Sequence, residues 1–340
     1  MKIVIENHIP FIKGVFEPVA EVVYLAPEEF TPEAVRDADA LIIRTRTRCD
    51  AALLSGSCCS MIATATIGTD HIDLGYCRRR GIEVANAPGC NAPAVAQWVF
   101  AAIGALSPKK ISDLTIGIVG VGHVGRIVES WARSLGMRVL LCDPPRAEAE
   151  GAEAFVSLGE IAREADVITF HTPLTRTGAH PTVHLLDDSL VGELRHAPVV
   201  LNAARGPITS TGALLSGLRS GKISASGIDC WENEPGISTE LLDACGVATP
   251  HIAGYSRQGK IRATAMAVDA VSRRFGITPA PLTEEVPRPA PRSIELDRLN
   301  YDILADTALL RAAAGELPAS FESLRNGYRL RPEAGYSPEA

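Results

Sequence analysis

The sequence has no run of about 18 apolar residues and no basic segment followed by an apolar leader at its start. Residues 2–6 instead have the apolar, β-branched pattern of a first strand. These absences argue against a membrane span and against a secretory signal. We therefore expect a cytoplasmic protein.

The chain also lacks any C-x-x-C pair or Cys/His spacing that is typical of a zinc site, because its eight cysteines are scattered. We predict neither a disulfide framework nor a bound metal, and we interpret the adjacent Cys58 and Cys59 as small buried residues. Basic residues are not in excess. The net charge is 33 − 40 = −7, which argues against nucleic acid or an anionic membrane as a partner.

The stretch 115–145 combines an apolar strand, a glycine-rich turn, an amphipathic helix and a second strand. In the turn, Gly120 permits a tight bend, Gly122 lets the backbone approach a pyrophosphate, and Gly125 permits close packing of helix on strand. Phosphates bind to the N–H groups at the start of such a helix. We predict a dinucleotide site formed by Gly120, Gly122, His123, Val124 and Gly125.

Asp143 ends the second strand, 143 − 120 = 23 residues after the first glycine. A carboxylate there accepts hydrogen bonds from both adenosine-ribose hydroxyls and repels a 2′-phosphate. Arg146 lies nearby and favours NADP in principle, but Asp143 argues for NAD as the cofactor.

Residues 1–90 alternate short apolar strands with helical patterns, which predicts a parallel sheet with ligands at the carboxyl ends of its strands. Helices are expected at Glu33–Asp37 and Ala51–Ser55, and Thr69 or Asp70 is expected to cap a later helix. Strands are predicted at Lys2–Glu6, Val22–Ala26, Ala40–Arg44, Met61–Thr66 and Ile82–Ala85.

The same alternation continues after Asp143, with predicted strands at Asp166–Phe170, Val199–Asn202, Ser224–Ile228 and Val247–Thr249. In a doubly wound sheet the carboxyl ends of these strands converge beside the cofactor. An arginine, an acid and a histidine follow them in sequence, so we expect Arg205, Glu234 and His251 to meet there.

These three residue types suit hydride transfer between a 2-hydroxy acid and a nicotinamide. His251 can take the hydroxyl proton, Glu234 can orient the imidazole, and Arg205 can grip the substrate carboxylate. Asp229 is then left to accept a hydrogen bond from the nicotinamide carboxamide. Taken singly, each residue also has an ordinary structural explanation, such as a turn arginine, an exposed loop acid or a buried histidine.

Six motifs together resemble the D-isomer-specific 2-hydroxyacid dehydrogenases: G-V-G-H-V-G, C-D-P-P-R, F-H-T-P-L, N-A-A-R-G-P, D-C-W-E-N-E-P and P-H-I-A-G-Y. Further motifs, T-A-T-I-G-T-D-H from Thr64 and A-P-G-C-N-A from Ala87, resemble the subfamily that oxidises 4-phospho-D-erythronate in pyridoxal phosphate synthesis. The resemblance implies a dehydrogenase with NAD as cofactor and a phosphorylated 2-hydroxy acid as substrate.

The resemblance also implies roles for single residues. It makes Arg205, Glu234 and His251 catalytic, with His251 as the proton donor and acceptor. It places NAD contacts at Asp143, Thr172, Ala203, Asp229 and Gly254, and substrate contacts at Thr45, Thr66 and Tyr255. Position 45 is threonine where the subfamily has serine, which keeps the hydroxyl, and His123 stands where asparagine is usual.

The predicted architecture is α/β, with two Rossmann-like doubly wound domains and a small C-terminal α+β dimerisation module. We assign residues 1–90 and 256–280 to substrate binding, 91–255 to NAD binding, 281–292 to a proline-rich linker and 293–340 to the module. The module is abbreviated and contains too few apolar residues to fold alone. It should therefore dock on the core of its own chain or on a partner, as in a homodimer.

Substrate identity stays open at this point. Arg44, Arg46 and Lys260 are candidate partners of a substrate phosphate. The alternatives are another D-2-hydroxyacid dehydrogenase, acting for instance on 3-phosphoglycerate, or a non-catalytic protein that senses NAD on the same fold.

Overall fold

The computed structural model describes residues 1–336, which fall into two compact units. Unit 1 comprises Met1–Asn91 and Arg257–Pro289, and unit 2 comprises Ala92–Ser256 and the residues from Ala290 onward. Each unit is built on its own parallel sheet, which confirms the predicted α/β class with two doubly wound domains. In the described part of the chain, no helix is long and apolar enough to cross a membrane.

Unit 1 contains a five-stranded parallel sheet in the order β2-β1-β3-β4-β5. Buried apolar residues predominate in β1, β3 and β4, which suits strands covered on both faces. The strands are β1 (Lys2–Glu6), β2 (Glu21–Leu25), β3 (Ala40–Ile43), β4 (Met61–Thr64) and β5 (Glu83–Ala85). The helices are α1 (Ala51–Leu54), α2 (Leu74–Arg80) and α10 (Arg257–Phe275).

Two local predictions for this unit are wrong. Residues 32–37 form successive turns instead of a helix, because the segment is too short to extend its first turns before β3 begins at Ala40. The cap of α2 is Asp73, whose carboxylate accepts the N–H of Tyr76 at 2.8 Å, and not Thr69 or Asp70.

Unit 2 contains a six-stranded parallel sheet in the order β11-β10-β9-β8-β6-β7. The chain runs outward from β6 to β7 and then returns to the other side of β6, so the strand order reverses between β6 and β8. Ligands of open α/β sheets bind at the carboxyl ends of the strands beside such a reversal. The strands are β6 (Thr115–Val119), β7 (Arg138–Cys142), β8 (Val167–Phe170), β9 (Val199–Asn202), β10 (Ala225–Ile228) and β11 (Val247–Ala248).

Helices cover both faces of this sheet. In α4 the apolar stripe predicted from the sequence buries Val128 and Trp131 in the core. The helices of the sheet region are α3 (Ala92–Leu106), α4 (His123–Ser134), α5 (Pro144–Glu150), α6 (Leu158–Glu164), α7 (Asp188–Glu193), α8 (Thr211–Arg219) and α9 (Thr239–Ala244).

The C-terminal segment belongs to unit 2 and is helical in its described part. It contains α11 (Ile303–Ala312) and α12 (Ala319–Asn326), and Leu310 and Phe321 are fully buried in the core of the sheet region. Residues 293–336 contain no strand, only a bridge between Ser256 and Arg331, so the predicted α+β character is wrong. Too few alternating apolar residues remain after the helices to form a sheet.

The proline-rich stretch before this segment has no helix or strand between residues 279 and 292. Its end is held on unit 2, where Trp131 Nε1 donates to the Pro291 carbonyl and Ser130 Oγ donates to the Arg292 carbonyl, both at 2.7 Å. All eight cysteines are free thiols; Cys59 is buried as expected, whereas Cys58 is exposed.

Candidate active site

The glycine-rich turn joins β6 to α4, and its glycines are needed for different physical reasons. A Cβ on Gly120 would lie 2.8 Å from the backbone of Thr172, and one on Gly125 would lie 2.2 Å from the Gly120 carbonyl oxygen. At Gly122, in contrast, an added Cβ meets no atom within 4 Å. The first and third glycines permit backbone packing, and the second borders open space at the start of α4, as a phosphate cradle requires.

His123 and Val124 form the first turn of α4, and Gly122 precedes them as the N-cap residue. Because glycine has no side chain, it cannot accept the N–H groups that a helix leaves unpaired at its start. These N–H groups and the positive end of the helix dipole favour an anion. A dinucleotide pyrophosphate at this turn stays a prediction, and the geometry of the turn supports it.

Asp143 follows β7 and lies directly beside this turn. Its Oδ2 accepts the N–H of Val121 at 2.8 Å, and its Oδ1 accepts the N–H of Arg146 at 3.2 Å as the N-cap of α5. Arg146 donates to the Val121 carbonyl and forms two hydrogen bonds with Glu150. The carboxylate is thus held in place beside the turn, and the nearby guanidinium is already paired with an acid.

Thr172 follows β8, and its buried hydroxyl has no hydrogen-bond partner among residues 1–336. A buried hydroxyl without a partner costs free energy unless a ligand supplies the missing bond. The backbone of Thr172 lies beside Gly120, at the strand reversal. A bound cofactor would supply the bond.

Burial lowers the pKa of the neighbouring His171 to about 3, and its Nε2 lies 3.0 Å from Thr169 Oγ1. Because the folded-state pKa lies below the unfolded value, the unfolded chain binds more protons, and stability is lost as pH falls from about 6.5 toward 3. We expect unfolding free energy to drop by about 2 kcal/mol between pH 7 and 5 from this group. Urea unfolding of His171→Gln should show a smaller drop than wild type. The exposed His196→Gln should behave as wild type, and equal drops in all three proteins would contradict the assignment.

Arg205 lies in a turn after β9 that is shaped by the fully buried Asn202. Asn202 Nδ2 donates to the Arg205 carbonyl and to Thr209 Oγ1, both at 3.0 Å, while its Oδ1 accepts the N–H of Ala204 at 3.1 Å. A Cβ on Gly206 would lie 1.8 Å from the Trp231 carbonyl oxygen. The turn with Ala203 and Arg205 therefore packs directly on the loop that leads to Glu234.

Glu234 and His251 form a hydrogen-bonded pair, with His251 Nδ1 and Glu234 Oε2 2.7 Å apart. The second carboxylate oxygen accepts the N–H of Trp231 at 2.7 Å, which fixes the acid. Burial raises the pKa of the Glu234 carboxyl, but His251 and these hydrogen bonds outweigh it and hold the pKa below its ordinary value. The acid is thus an anion at neutral pH, and Nε2 of His251 is left for proton exchange.

Cys230 is a further side chain at this pair, because its Sγ, Glu234 and His251 offer ligand atoms within 4.8 Å of one another. Burial raises the pKa of the Cys230 thiol well above its ordinary value. It therefore stays protonated, which disfavours metal ligation.

Asp229 is 1 % exposed, and its carboxyl group holds the loop around His251 through hydrogen bonds. Its Oδ1 accepts the Thr249 hydroxyl at 2.6 Å and the N–H groups of Ile252 and Ala253 at 2.7 and 3.0 Å. Burial raises the pKa of Asp229 despite these donors. Further along the same loop, beyond Gly254, the Tyr255 hydroxyl accepts a hydrogen bond from Nε of Arg325 at 3.2 Å.

Within unit 1, the predicted substrate residues lie at the carboxyl ends of neighbouring strands. Thr66 follows β4, and its Oγ1 lies 2.6 Å from Thr64 Oγ1. Thr45 is exposed in the turn after β3. Buried Glu6, which sequence reasoning missed, holds that turn by accepting the N–H of Arg44 at 2.8 Å and the Thr47 hydroxyl at 3.2 Å. A lone acid at the end of the apolar run of β1 was its only sequence signal.

Of the candidate phosphate partners, Arg44 donates from Nη1 to the His8 carbonyl at 3.0 Å. Arg46 and Lys260 also have interactions within the fold. Each of the three lies in unit 1.

Comparisons with known proteins show which family the chain belongs to. Residues 94–253 match the family model described as "D-isomer specific 2-hydroxyacid dehydrogenase, NAD binding domain". The chain is 47 % identical to an erythronate-4-phosphate dehydrogenase of Bacteroides fragilis, over 98 % of each chain. It is 39 % identical to one of Cronobacter sakazakii, over 98 % of this chain and 92 % of that one. The chain belongs to the erythronate-4-phosphate dehydrogenases of the D-isomer-specific 2-hydroxyacid dehydrogenase family.

Among solved structures, the chain is similar to an NAD⁺-bound 3-phosphoglycerate dehydrogenase of Entamoeba histolytica. The TM-score is 0.69 at 26 % identity, over 81 % of this chain and 95 % of that one. As a member of this dehydrogenase family, the protein is an oxidoreductase that uses NAD.

Proposed function

We propose that the protein oxidises 4-phospho-D-erythronate to 3-hydroxy-2-oxo-4-phosphooxybutanoate with NAD, in pyridoxal phosphate synthesis. The observation that carries this proposal is the Glu234–His251 pair beside the Arg205 turn, in a chain 47 % identical to a relative named for this substrate. NAD supplies the acceptor for the hydride that leaves C2 of the substrate.

In this proposal His251 is the general base. Its Nδ1 is bonded to Glu234, so Nε2 takes the proton of the C2 hydroxyl as the hydride leaves. The Glu234 anion fixes the ring and stabilises the imidazolium that forms. Arg205 binds the substrate carboxylate and polarises the developing carbonyl.

The cofactor site that we propose lies at the strand reversal of unit 2. The glycine turn would hold the pyrophosphate, Asp143 the adenosine ribose, and Thr172 would gain a partner for its buried hydroxyl. The proposed contacts are Gly120, Gly122, His123, Val124, Gly125, Asp143, Thr172, Ala203, Asp229 and Gly254. Asp229 already bonds protein N–H groups through Oδ1, so Oδ2 would face the carboxamide.

We assign substrate recognition to Thr45 and Thr66 in unit 1 and to Tyr255 in unit 2, with Arg44, Arg46 or Lys260 for the phosphate. In this assignment the segments 1–90 and 256–280 bind substrate, 91–255 binds NAD, and 281–292 is a linker. The buried Glu6 holds the turn that carries Thr45, through the N–H of Arg44 and the hydroxyl of Thr47, which supports the role of that turn.

We also propose a homodimer, formed through the C-terminal module 293–340, and a cytoplasmic location. Leu304 and Leu309 on α11 support the dimer, because these large apolar side chains are 52 % and 57 % exposed. Light scattering of the wild type and of Leu304→Glu/Leu309→Glu should give the dimer mass and the monomer mass, respectively.

The proposed reaction is tested by following NADH formation with 4-phosphoerythronate, erythronate and 3-phosphoglycerate in parallel. We expect kcat/KM to be highest for 4-phosphoerythronate, since a bound phosphate contributes charge-assisted hydrogen bonds. Equal values with and without the phosphate would reject this substrate. A preference for 3-phosphoglycerate would favour that second reaction, and NAD binding without turnover of any acid would indicate an NAD sensor.

The choice of nucleotide gives a separate prediction at Asp143. Asp143→Asn keeps the α5 cap but removes the charge that repels a 2′-phosphate, so the preference for NAD over NADP should fall at least about tenfold. The ratio of kcat/KM values for the two nucleotides measures it. Asp243→Asn, at an exposed acid of the same unit, should leave the ratio unchanged. An unaltered ratio in Asp143→Asn would remove this carboxylate from cofactor selection.

A further inference from the structure

Arg331 is a buried arginine of the C-terminal segment, and three of its hydrogen bonds go to the loop that follows His251. The residue is only 6 % exposed. Its Nη1 donates to the carbonyls of Ile252 at 3.0 Å and Tyr255 at 3.1 Å, and its Nη2 donates to the carbonyl of Ala253. One guanidinium thus fixes three carbonyl groups within residues 252–255.

The remaining donors of Arg331 tie the same group to α3. Its Nε donates to Gln97 Oε1 and its Nη2 to the Ala94 carbonyl, both at 3.0 Å. The Tyr301 ring covers the guanidinium, with its centroid 4.1 Å from the guanidinium carbon. The side chain is therefore held from several sides and is a rigid support for the loop.

The opposite side of the loop is held by Asp229. The N–H groups of Ile252 and Ala253 point to the Asp229 carboxylate, while their carbonyls point to Arg331. The peptide group that joins Ile252 to Ala253 therefore lies between the two buried side chains, with its carbonyl on Arg331 and its N–H on Asp229. Charge-assisted hydrogen bonds on both sides fix the path of the backbone directly after His251.

The conformation of His251 needs such support. Its φ of +57° is in the left-handed region, which is uncommon for residues other than glycine and costs free energy unless the surrounding structure supports it. Its own N–H bonds to the carbonyls of Asp229 and Thr249 on the N-terminal side. On the C-terminal side the loop is fixed by Asp229 and Arg331.

We propose that Arg331 is a positioning residue for the reaction: opposite Asp229, it sets the backbone of residues 251–255 and so the bond between His251 Nδ1 and Glu234. The C-terminal segment is thus part of the active-site scaffold of its own chain. The inference rests on the proposed function only in its kinetic test, which needs turnover of the proposed substrate. Glu234 and His251 are hydrogen-bonded in the protein without substrate, so the effect of Arg331 on this bond can be measured without turnover.

The test compares Arg331→Lys with the milder Tyr301→Leu, which removes the covering ring but leaves the guanidinium. Lysine keeps the charge but lacks the planar fork that reaches several carbonyls. We expect kcat to fall about 30-fold in Arg331→Lys and about 3-fold in Tyr301→Leu, with KM for NAD changed less than about 3-fold. Arg298→Lys, at an exposed arginine of the same segment, should equal wild type.

The second readout is the ¹⁵N-labelled imidazole of His251, assigned by comparison with His251→Asn. In wild type a downfield Nδ1–H signal should report the bond to Glu234, and in both variants it should shift or weaken. Variants that fold with wild-type kcat and an unchanged signal would overturn the proposal. So would a lower kcat and melting temperature with an unchanged signal, since the arginine would then be structural only. If wild type turns over none of the acids but the signal still changes in the variants, the proposed substrate fails and the positioning role stands.

Discussion

Replacing His251 with asparagine should lower kcat by about 10³-fold while leaving NAD affinity within about twofold. General-base catalysis contributes about 10²- to 10⁴-fold, and asparagine has no group that takes a proton at neutral pH. Asparagine is the right substitution because it tolerates the left-handed backbone that His251 adopts at φ +57°. Steady-state rates with saturating substrate and titration of NAD by protein fluorescence measure the two quantities.

The structure offers a matched control for this substitution. His184 also has a positive φ, of +50°, and its Nε2 lies 2.7 Å from a carboxylate oxygen of Glu232. His184→Asn should change kcat less than about threefold, because no proposed catalytic group depends on it. A His251→Asn protein with wild-type kcat would exclude His251 as the general base.

Replacing Arg205 with lysine should lower kcat/KM by about 10³-fold, with both a higher substrate KM and a lower kcat. A guanidinium binds a carboxylate through two parallel hydrogen bonds, whereas an ammonium acts as a point charge that does not reproduce this geometry. Part of the loss is in kcat because the same group polarises the carbonyl as it forms. Initial rates over a range of substrate concentrations separate the two effects.

Arg219→Lys is the control, since Arg219 is an exposed arginine in α8 of the same unit and is paired with Glu240. It should leave kcat/KM within about twofold. If Arg205→Lys raises KM without lowering kcat, Arg205 binds the substrate but does not act on the developing carbonyl.

The sequence was sufficient to predict that Glu234 and His251 lie together and that the Arg205 turn packs beside the loop of Glu234, because each follows a strand of a parallel sheet. The sheet order β11-β10-β9 makes those strands neighbours, and the clash of a Cβ at Gly206 with the Trp231 carbonyl shows how closely two of the loops pack. Parallel strands bring their carboxyl ends to one edge whatever their separation in sequence.

The supports of these residues could not be predicted in the same way. Arg331, Asn202 and Glu6 act through tertiary hydrogen bonds that follow no local period, and Arg331 meets Gln97 from the far end of the chain. The backbone conformation of His251 likewise depends on its surroundings, since a positive φ is uncommon for residues other than glycine. Local sequence patterns contain no information about such contacts.

The errors in secondary structure have a related cause. The segment Glu33–Asp37 has helix-forming residues, but the chain must enter β3 at Ala40 before a helix can extend. In the C-terminal segment, the burial of Leu310 and Phe321 against unit 2 favours helices where we expected some strand. Tertiary packing decides the structure of both short segments.

The most direct test of the account is a single turnover with 4-phosphoerythronate that carries deuterium at C2, with enzyme in excess over NAD. Hydride transfer from C2 predicts that the reduced nicotinamide carries one deuterium at C4, as detected by mass spectrometry. We further expect the labelled transfer to be slower than the unlabelled one in wild type and absent in His251→Asn. Reduced nicotinamide without deuterium, or no reduction in the wild-type protein, would contradict the proposed reaction.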